Sequence, residues 1–142
     1  MTTINVYLVF DGNCAEAMTF YRDCLGGDLV LQTVEESPMA KEWPDAMQQS
    51  VLHASLTNES LVLYGSDMSS PGGPMEGNTV WLSLNCSTYE ELDNFYEKLS
   101  KGGTRVREPH DFFAGRMAVL NDKYGKGWML YAGTSQDADF SE

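Results

Sequence analysis

Two histidines, one arginine and a recurring set of aromatic residues are the side chains of this 142-residue chain best suited to chemistry. His53 stands in a stretch, residues 50–57, that reads as a strand. There His53 and Ser55 share one face, and Leu52, Ala54 and Leu56 the other. A neutral imidazole on a polar strand face could act as a general base; the alternative is a structural hydrogen bond. His110 lies in residues 108–115, Glu-Pro-His-Asp-Phe-Phe-Ala-Gly, which read as a loop joining two strands. Such a loop is either a lid over a cavity mouth or a packing segment at a dimer seam. Arg116, one of four arginines in an acidic protein, could grip an anionic ligand with two parallel hydrogen bonds. The competing reading is an ion pair with a nearby carboxylate. Cys14 falls at a helix start, where the dipole favours a thiolate, but Asp11 and Glu16 flank it and oppose that charge. There is no Ser-His-Asp order, phosphate loop or paired-carboxylate motif.

The elements that must position these residues come in two copies. Val6-Tyr7-Leu8-Val9-Phe10 returns as Val80-Trp81-Leu82-Ser83-Leu84. Phe20-Tyr21 with Gly26-Gly27 returns as Phe95-Tyr96 with Gly102-Gly103, and Leu63-Tyr64-Gly65 as Leu130-Tyr131-Ala132. Each copy reads as βαβββ. The first has strands at 4–10, 28–34, 50–57 and 60–66, with a helix between Asn13 and Gly26. The second has strands at 78–85, 103–108, 115–121 and 127–133, with a helix at about 88–101. Residues 35–49 are polar, with Pro44 placed to start a short helix. Residues 67–77, rich in Gly, Pro and Ser, read as the linker, and 134–142 as an acidic tail. The first module is therefore 4–66 and the second 78–133. A module this short cannot bury its own apolar face and should stack on its twin around a concave space. The fold class is α+β.

The repeat equates Tyr7 with Trp81 and Tyr64 with Tyr131. Strand alternation puts Met129 and Tyr131 on one side and Trp128 and Leu130 on the helix side. The expected pocket is lined by Tyr7, His53, Trp81, Arg116, Met129 and Tyr131. Its aromatic rings suit a planar or apolar ligand; plain core packing is the competing reading for Tyr7 and Tyr64. Twenty-one acidic residues against nine basic ones give a net charge of −12. That charge repels nucleic acid and anionic lipid and favours cationic ligands. No segment reaches the roughly 18 apolar residues of a membrane helix, and Met1-Thr2-Thr3 lacks the basic start of a signal peptide. Cys14, Cys24 and Cys86 are an odd set without CxxC spacing, as expected of reduced thiols in a cytoplasmic protein.

The paired βαβββ order carries a further set of words. They are Tyr7-Leu8-Val9-Phe10-Asp11-Gly12-Asn13, His53-Ala54-Ser55-Leu56, Gly77-Asn78, Gly115-Arg116, Asp122-Lys123-Tyr124-Gly125 and Trp128-Met129. With the aromatic and glycine pairs, they resemble the vicinal oxygen chelate superfamily of glyoxalase I, bleomycin-resistance proteins and extradiol dioxygenases. The PhnB-like branch is the nearer match. The resemblance spans residues 4–131 and implies the glyoxalase/bleomycin-resistance fold, a small-molecule ligand and a homodimer. Enzymes of the superfamily hold a divalent metal through His, Gln or Glu, one from each of four strands. The matching positions here are Asn5 or Val6, Val62 or Leu63, Thr79, and Met129. The expectation is a member without that metal and without a cofactor. It would be either a binding protein or an enzyme that is metal-independent or holds a metal elsewhere, through His53 and a nearby carboxylate.

Overall fold

The computed structural model describes residues 1–68 and 71–134. The chain divides into two compact units, with the boundary between Met75 and Glu76. The first holds strand β1 (Val6–Val9), helix α1 (Cys14–Leu25) and strands β2 (Asp28–Thr33), β3 (Val51–Asn58) and β4 (Leu61–Ser66). The second holds β5 (Leu82–Cys86), α2 (Tyr89–Leu99), β6 (Thr104–Phe112), β7 (Gly115–Asn121) and β8 (Gly127–Gly133). Each unit is one four-stranded sheet, ordered β1-β4-β3-β2 and β5-β8-β7-β6. The first and last strands of each unit pair in parallel, and the other neighbours run antiparallel. This is the expected α+β architecture of two βαβββ modules. The tail residues 135–142 lie outside the described residues.

One helix covers one face of each sheet. In the first unit Ala17, Met18 and Tyr21 of α1 are fully buried, as are Ala54, Leu56 and Leu63 on the face they cover. Gly65 lets the helix approach: a Cβ there would sit 3.0 Å from the Met18 sulfur and 3.2 Å from that of Cys14. In the second unit Leu92, Tyr96 and Leu99 of α2 pack with Ala118, Leu120, Leu130 and Ala132, all fully buried. Trp128 is 3 % exposed on that face, and its indole N–H donates to Asp122 Oδ2 at 2.8 Å. Asp122 Oδ1 also accepts the backbone N–H groups of Tyr124 and Lys126. The Asp122-Lys-Tyr-Gly word is thus a turn that anchors a buried tryptophan.

The two helices start differently. Thr88 caps α2 by accepting from the Glu91 N–H at 3.0 Å, while Glu91 accepts from Ser87 N–H at 2.8 Å. Asn13 makes no such bond for α1. Its acceptor comes from Asp67, more than fifty residues away in sequence. Asp67 Oδ1 takes the N–H groups of Gly12 (2.8 Å) and Cys14 (3.0 Å), and Oδ2 that of Val51 (2.8 Å). One buried carboxylate therefore joins the helix start, the end of β4 and the start of β3. It corrects the assignment of residue 67 to a linker.

The strands also correct the sequence reading in two places. β6 runs through Phe112, so 108–115 is mostly strand, with only residues 113–114 in the turn. Pro109 is tolerated because β6 is an edge strand with irregular pairing between Arg107 and His110. Residues 35–49 fold into two short 3₁₀ turns, Ala40–Glu42 and Asp45–Met47, the second starting directly after Pro44 as expected; the Gln48 side-chain amide ties them through the carbonyls of Ala40 and Trp43. The second correction concerns the repeat. Each helix ends at a glycine pressed on the hairpin, Gly27 against the Thr57 carbonyl and Gly103 against that of Asn121. The next ladder row in each unit is Leu56–Leu63–Val6 and Leu120–Trp128–Leu82. Tyr7 therefore corresponds to Ser83, not Trp81, and Tyr64 to Met129, not Tyr131. Both word matches slip by two residues. A slip of two preserves the face, because side chains alternate with period two.

Replacing Asp67 with Ala leaves three N–H groups without their acceptor, two of them in buried bonds, at a cost of about 1–3 kcal/mol each. Urea unfolding of Asp67→Ala should show a loss of about 3 kcal/mol or more, and Asp67→Asn, which keeps one carbonyl oxygen, an intermediate loss.

Candidate ligand-binding faces

With one face of each sheet under its helix, the chemistry is carried by the other. In the first unit the uncovered row is Tyr7–Tyr64–Ser55–Val30. His53, two positions from Ser55, shares that face. Tyr7, His53 and Tyr64 form a ring cluster. Centroids are 6.0 Å apart for Tyr7–His53, 6.1 Å for Tyr7–Tyr64 and 5.3 Å for His53–Tyr64, and no pair is stacked flat. Tyr7 is 50 % exposed and Val30 62 %. Tyr64 is absent from the sequence-derived pocket, yet it lies directly across from Tyr7; the signal was the parallel pairing of β1 with β4.

In the second unit the uncovered rows are Ser83–Met129–Val119 and Asn85–Tyr131–Met117–His110. Met129 is 37 % exposed beside the buried Trp128 and Leu130. Tyr131 donates its hydroxyl to the Ala114 carbonyl at 2.9 Å and meets Phe112 edge-on at 6.1 Å. Trp81 directly precedes β5. Its ring lies over Gly127, where a Cβ would come within 2.5 Å of it, and its indole N–H donates to the Asn78 carbonyl at 3.0 Å. Phe112 and Met117 also lie on this face; neither belongs to the pocket expected from sequence, where residues 108–115 read as a loop. His110 is held by its own strand: Nδ1 donates to the Glu108 carbonyl at 2.9 Å.

Arg116 stands apart from the other five expected pocket residues. It pairs with Ala132, one step out of phase with Tyr131, and so points to the helix side of its sheet. There Nε and Nη2 bond both oxygens of Asp93 on α2 at 2.9 and 3.3 Å. Nη1 bonds Asp111 at 2.6 Å, and the guanidinium lies 5.7 Å from the Tyr89 ring centroid. The Asp93 hydrogen bonds first, then that to Asp111, raise its pKa above the ordinary arginine value. The ion-pair reading describes Arg116; its donors are committed and it does not share a face with Met129 and Tyr131.

The positions that hold metal in the superfamily have the wrong chemistry. Val62, Leu63 and Met129 offer hydrocarbon and a thioether, and Leu63 is buried in the core. Asn5 and Thr79 are neutral oxygen donors. Hard divalent ions require carboxylate or imidazole, so these residues do not fit such an ion. Among the described residues no three His, Cys, Asp or Glu side chains converge.

A scan against family models matches residues 3–130 to the Glyoxalase/Bleomycin resistance protein/Dioxygenase superfamily. The chain belongs to this superfamily. It is 24% identical over 140 residues to Protein YjdN of Escherichia coli K12, a match that covers 89% of this chain and 92% of that one. The crystal structure of PA1353 from Pseudomonas aeruginosa superposes with a TM-score of 0.82 at 29% identity, covering 94% of this chain and 98% of that one. A PhnB protein from Bacillus cereus shares the fold at a TM-score of 0.74 and 24% identity, over 93% and 100% of the two chains.

The cysteines of this superfamily member are buried and not bonded to one another. Burial, then the Asp67 charge, pushes the Cys14 thiol up to about 12 from an ordinary 9.0. Burial, then Glu91, does the same for Cys86. Neither is a nucleophile near neutral pH. The unfolded chain releases these protons near pH 9.0, whereas the folded chain keeps them to about 12. Stability from this source is complete below pH 9 and falls across that window, by roughly 1.4 kcal/mol per pH unit per thiol. Urea midpoints measured from pH 8 to 11 should fall, and the fall should be shallower in Cys86→Ala.

Proposed function

We propose that the protein is a PhnB-like small-molecule-binding member of the superfamily, working without the superfamily metal and taking a planar or cationic organic ligand on its helix-free sheet faces. One observation carries this reading. Aromatic and thioether side chains, Tyr7, Tyr64, Trp81, Met129 and Tyr131, crowd the faces where metal ligands would otherwise stand. Rings of this kind offer broad contact area to a planar ligand at little entropic cost. The net charge of −12 favours a cation. No helix among the described residues is long and apolar enough to cross a membrane. Three unbonded cysteines support a reducing, cytoplasmic location.

A second reading has an observation of its own. His53 makes no hydrogen bond among the described residues, so its imidazole is available as the general base of a metal-independent enzyme. That reading requires a turnover that disappears in His53→Gln.

The binding reading predicts well under one equivalent of Ni, Mn, Fe or Zn per chain after dialysis, together with saturable binding of a planar heteroaromatic cation such as proflavine. Trp81→Ala should weaken that binding through lost stacking area and leave the fold intact. Trp128→Ala should instead lower stability by about 3–5 kcal/mol. A stoichiometric metal that survives dialysis, or no saturable dye binding, counts against the reading.

We also propose a twofold homodimer. Val106 on the edge strand β6 and Phe113 in the turn after it are exposed apolar residues, and a partner chain would cover surface of this kind. Light scattering at micromolar concentration should give twice the chain mass; a monomer mass would contradict it.

A further inference from the structure

The ring cluster of the first unit has a charge environment that narrows its ligand. Residues 1–75 carry ten acidic and two basic side chains, a net of −8 out of the chain total of −12. The two basic residues are Arg22 in α1, which sits on the covered side, and Lys41 in the 3₁₀ segment. Neither lies on a strand of the sheet. Asp28 does, and it is on the uncovered face, since it pairs with Thr57 in phase with Val30 and Ser55. The strand residues of the uncovered face therefore combine π-rings and a carboxylate, with no lysine or arginine among them.

Three ring centroids 5.3–6.1 Å apart form a nearly equilateral triangle. A cation seated about 4 Å above its centre lies about 5 Å from all three, within the roughly 6 Å reach of a cation–π attraction. The rings make no hydrogen bond among the described residues, so their hydroxyl and imidazole groups are available to a ligand's polar end. The rings are tilted by 40–50° to one another, so none is occupied by flat stacking on its neighbour.

We infer that Tyr7, His53 and Tyr64 form a recognition site for a small alkylammonium group, quaternary or tertiary, attached to a ligand with a hydrogen-bonding tail. This rests on the small-molecule reading above and narrows it to one chemical class and one face. A metal cation is disfavoured because His53 is the one imidazole of the cluster and, among the described residues, no three His, Cys, Asp or Glu side chains converge to complete a coordination shell.

The test compares choline with 3,3-dimethylbutanol, its uncharged isostere, by NMR titration at low ionic strength. Choline should shift the signals of Tyr7, His53 and Tyr64 and bind about five- to tenfold more tightly than the isostere. Tyr7→Phe should keep that preference, because the ring remains. Tyr7→Leu should remove most of it, and both variants should retain the wild-type spectrum elsewhere, since Tyr7 is half exposed. Equal affinity for the two probes overturns the ammonium assignment and leaves the small-molecule reading standing. Choline shifts that appear only outside this face, or none at millimolar concentration, overturn the assignment as well; the small-molecule reading is judged separately by proflavine and Trp81.

Discussion

A four-stranded sheet with a single helix can hide only one of its faces. In both units the hidden face takes the small and aliphatic residues: Ala54, Leu56, Leu63 and Gly65 in one, Ala118, Leu120, Leu130 and Ala132 in the other. With strand period two, every second residue is then committed to the opposite face whatever its chemistry. Tyr64 is half-exposed because Leu63 and Gly65 on either side of it are buried, and Met129 and Tyr131 alternate in the same way with Trp128, Leu130 and Ala132. A face left bare and furnished with aromatic rings is a large apolar surface, and surfaces of that kind mark binding sites. Core and candidate site are thus two readings of one alternation.

Long-range polar bonds hold the alternation in register. Asp67 fixes the ends of β3 and β4 relative to the start of α1 through three backbone N–H groups. Asp122 does a related job for the last hairpin by holding its own turn and the Trp128 indole. Both carboxylates are buried and fully engaged, so they belong to the scaffold. The Arg116–Asp93–Asp111 cluster ties α2 to the β6–β7 hairpin in the same way. Arg116, the charged residue that sequence offers as a ligand grip, is therefore structural, whereas the aromatic rings and His53 remain available.

Local signals made much of this legible. The Phe-Tyr pairs followed by double glycine mark two helices and their ends, and the alternation in residues 127–133 separates Trp128 from Met129 without any tertiary information. The word repeats misplaced two equivalences by two residues, because alternating apolar strands resemble themselves at that shift. The slip left the faces intact. Arg116 was misplaced because its side depends on the phase of β7 against β8, and the preceding Gly115 gives no apolar marker for that phase. Asp67 was hidden in a Gly-, Pro- and Ser-rich stretch, and its partners at Gly12, Cys14 and Val51 are remote in sequence. Pro109 suggested a loop where an edge strand tolerates it.

The central claim is that ligand contact belongs to the helix-free faces and fold maintenance to the helix-covered ones. Amide and side-chain chemical-shift mapping with proflavine tests this directly. The account predicts perturbations concentrated at Tyr7, Tyr64, Ser83, Met129 and Tyr131, with Leu63, Leu120 and Leu130 undisturbed. Perturbations centred on the helix-covered residues, or on Arg116 and Asp93, would contradict it.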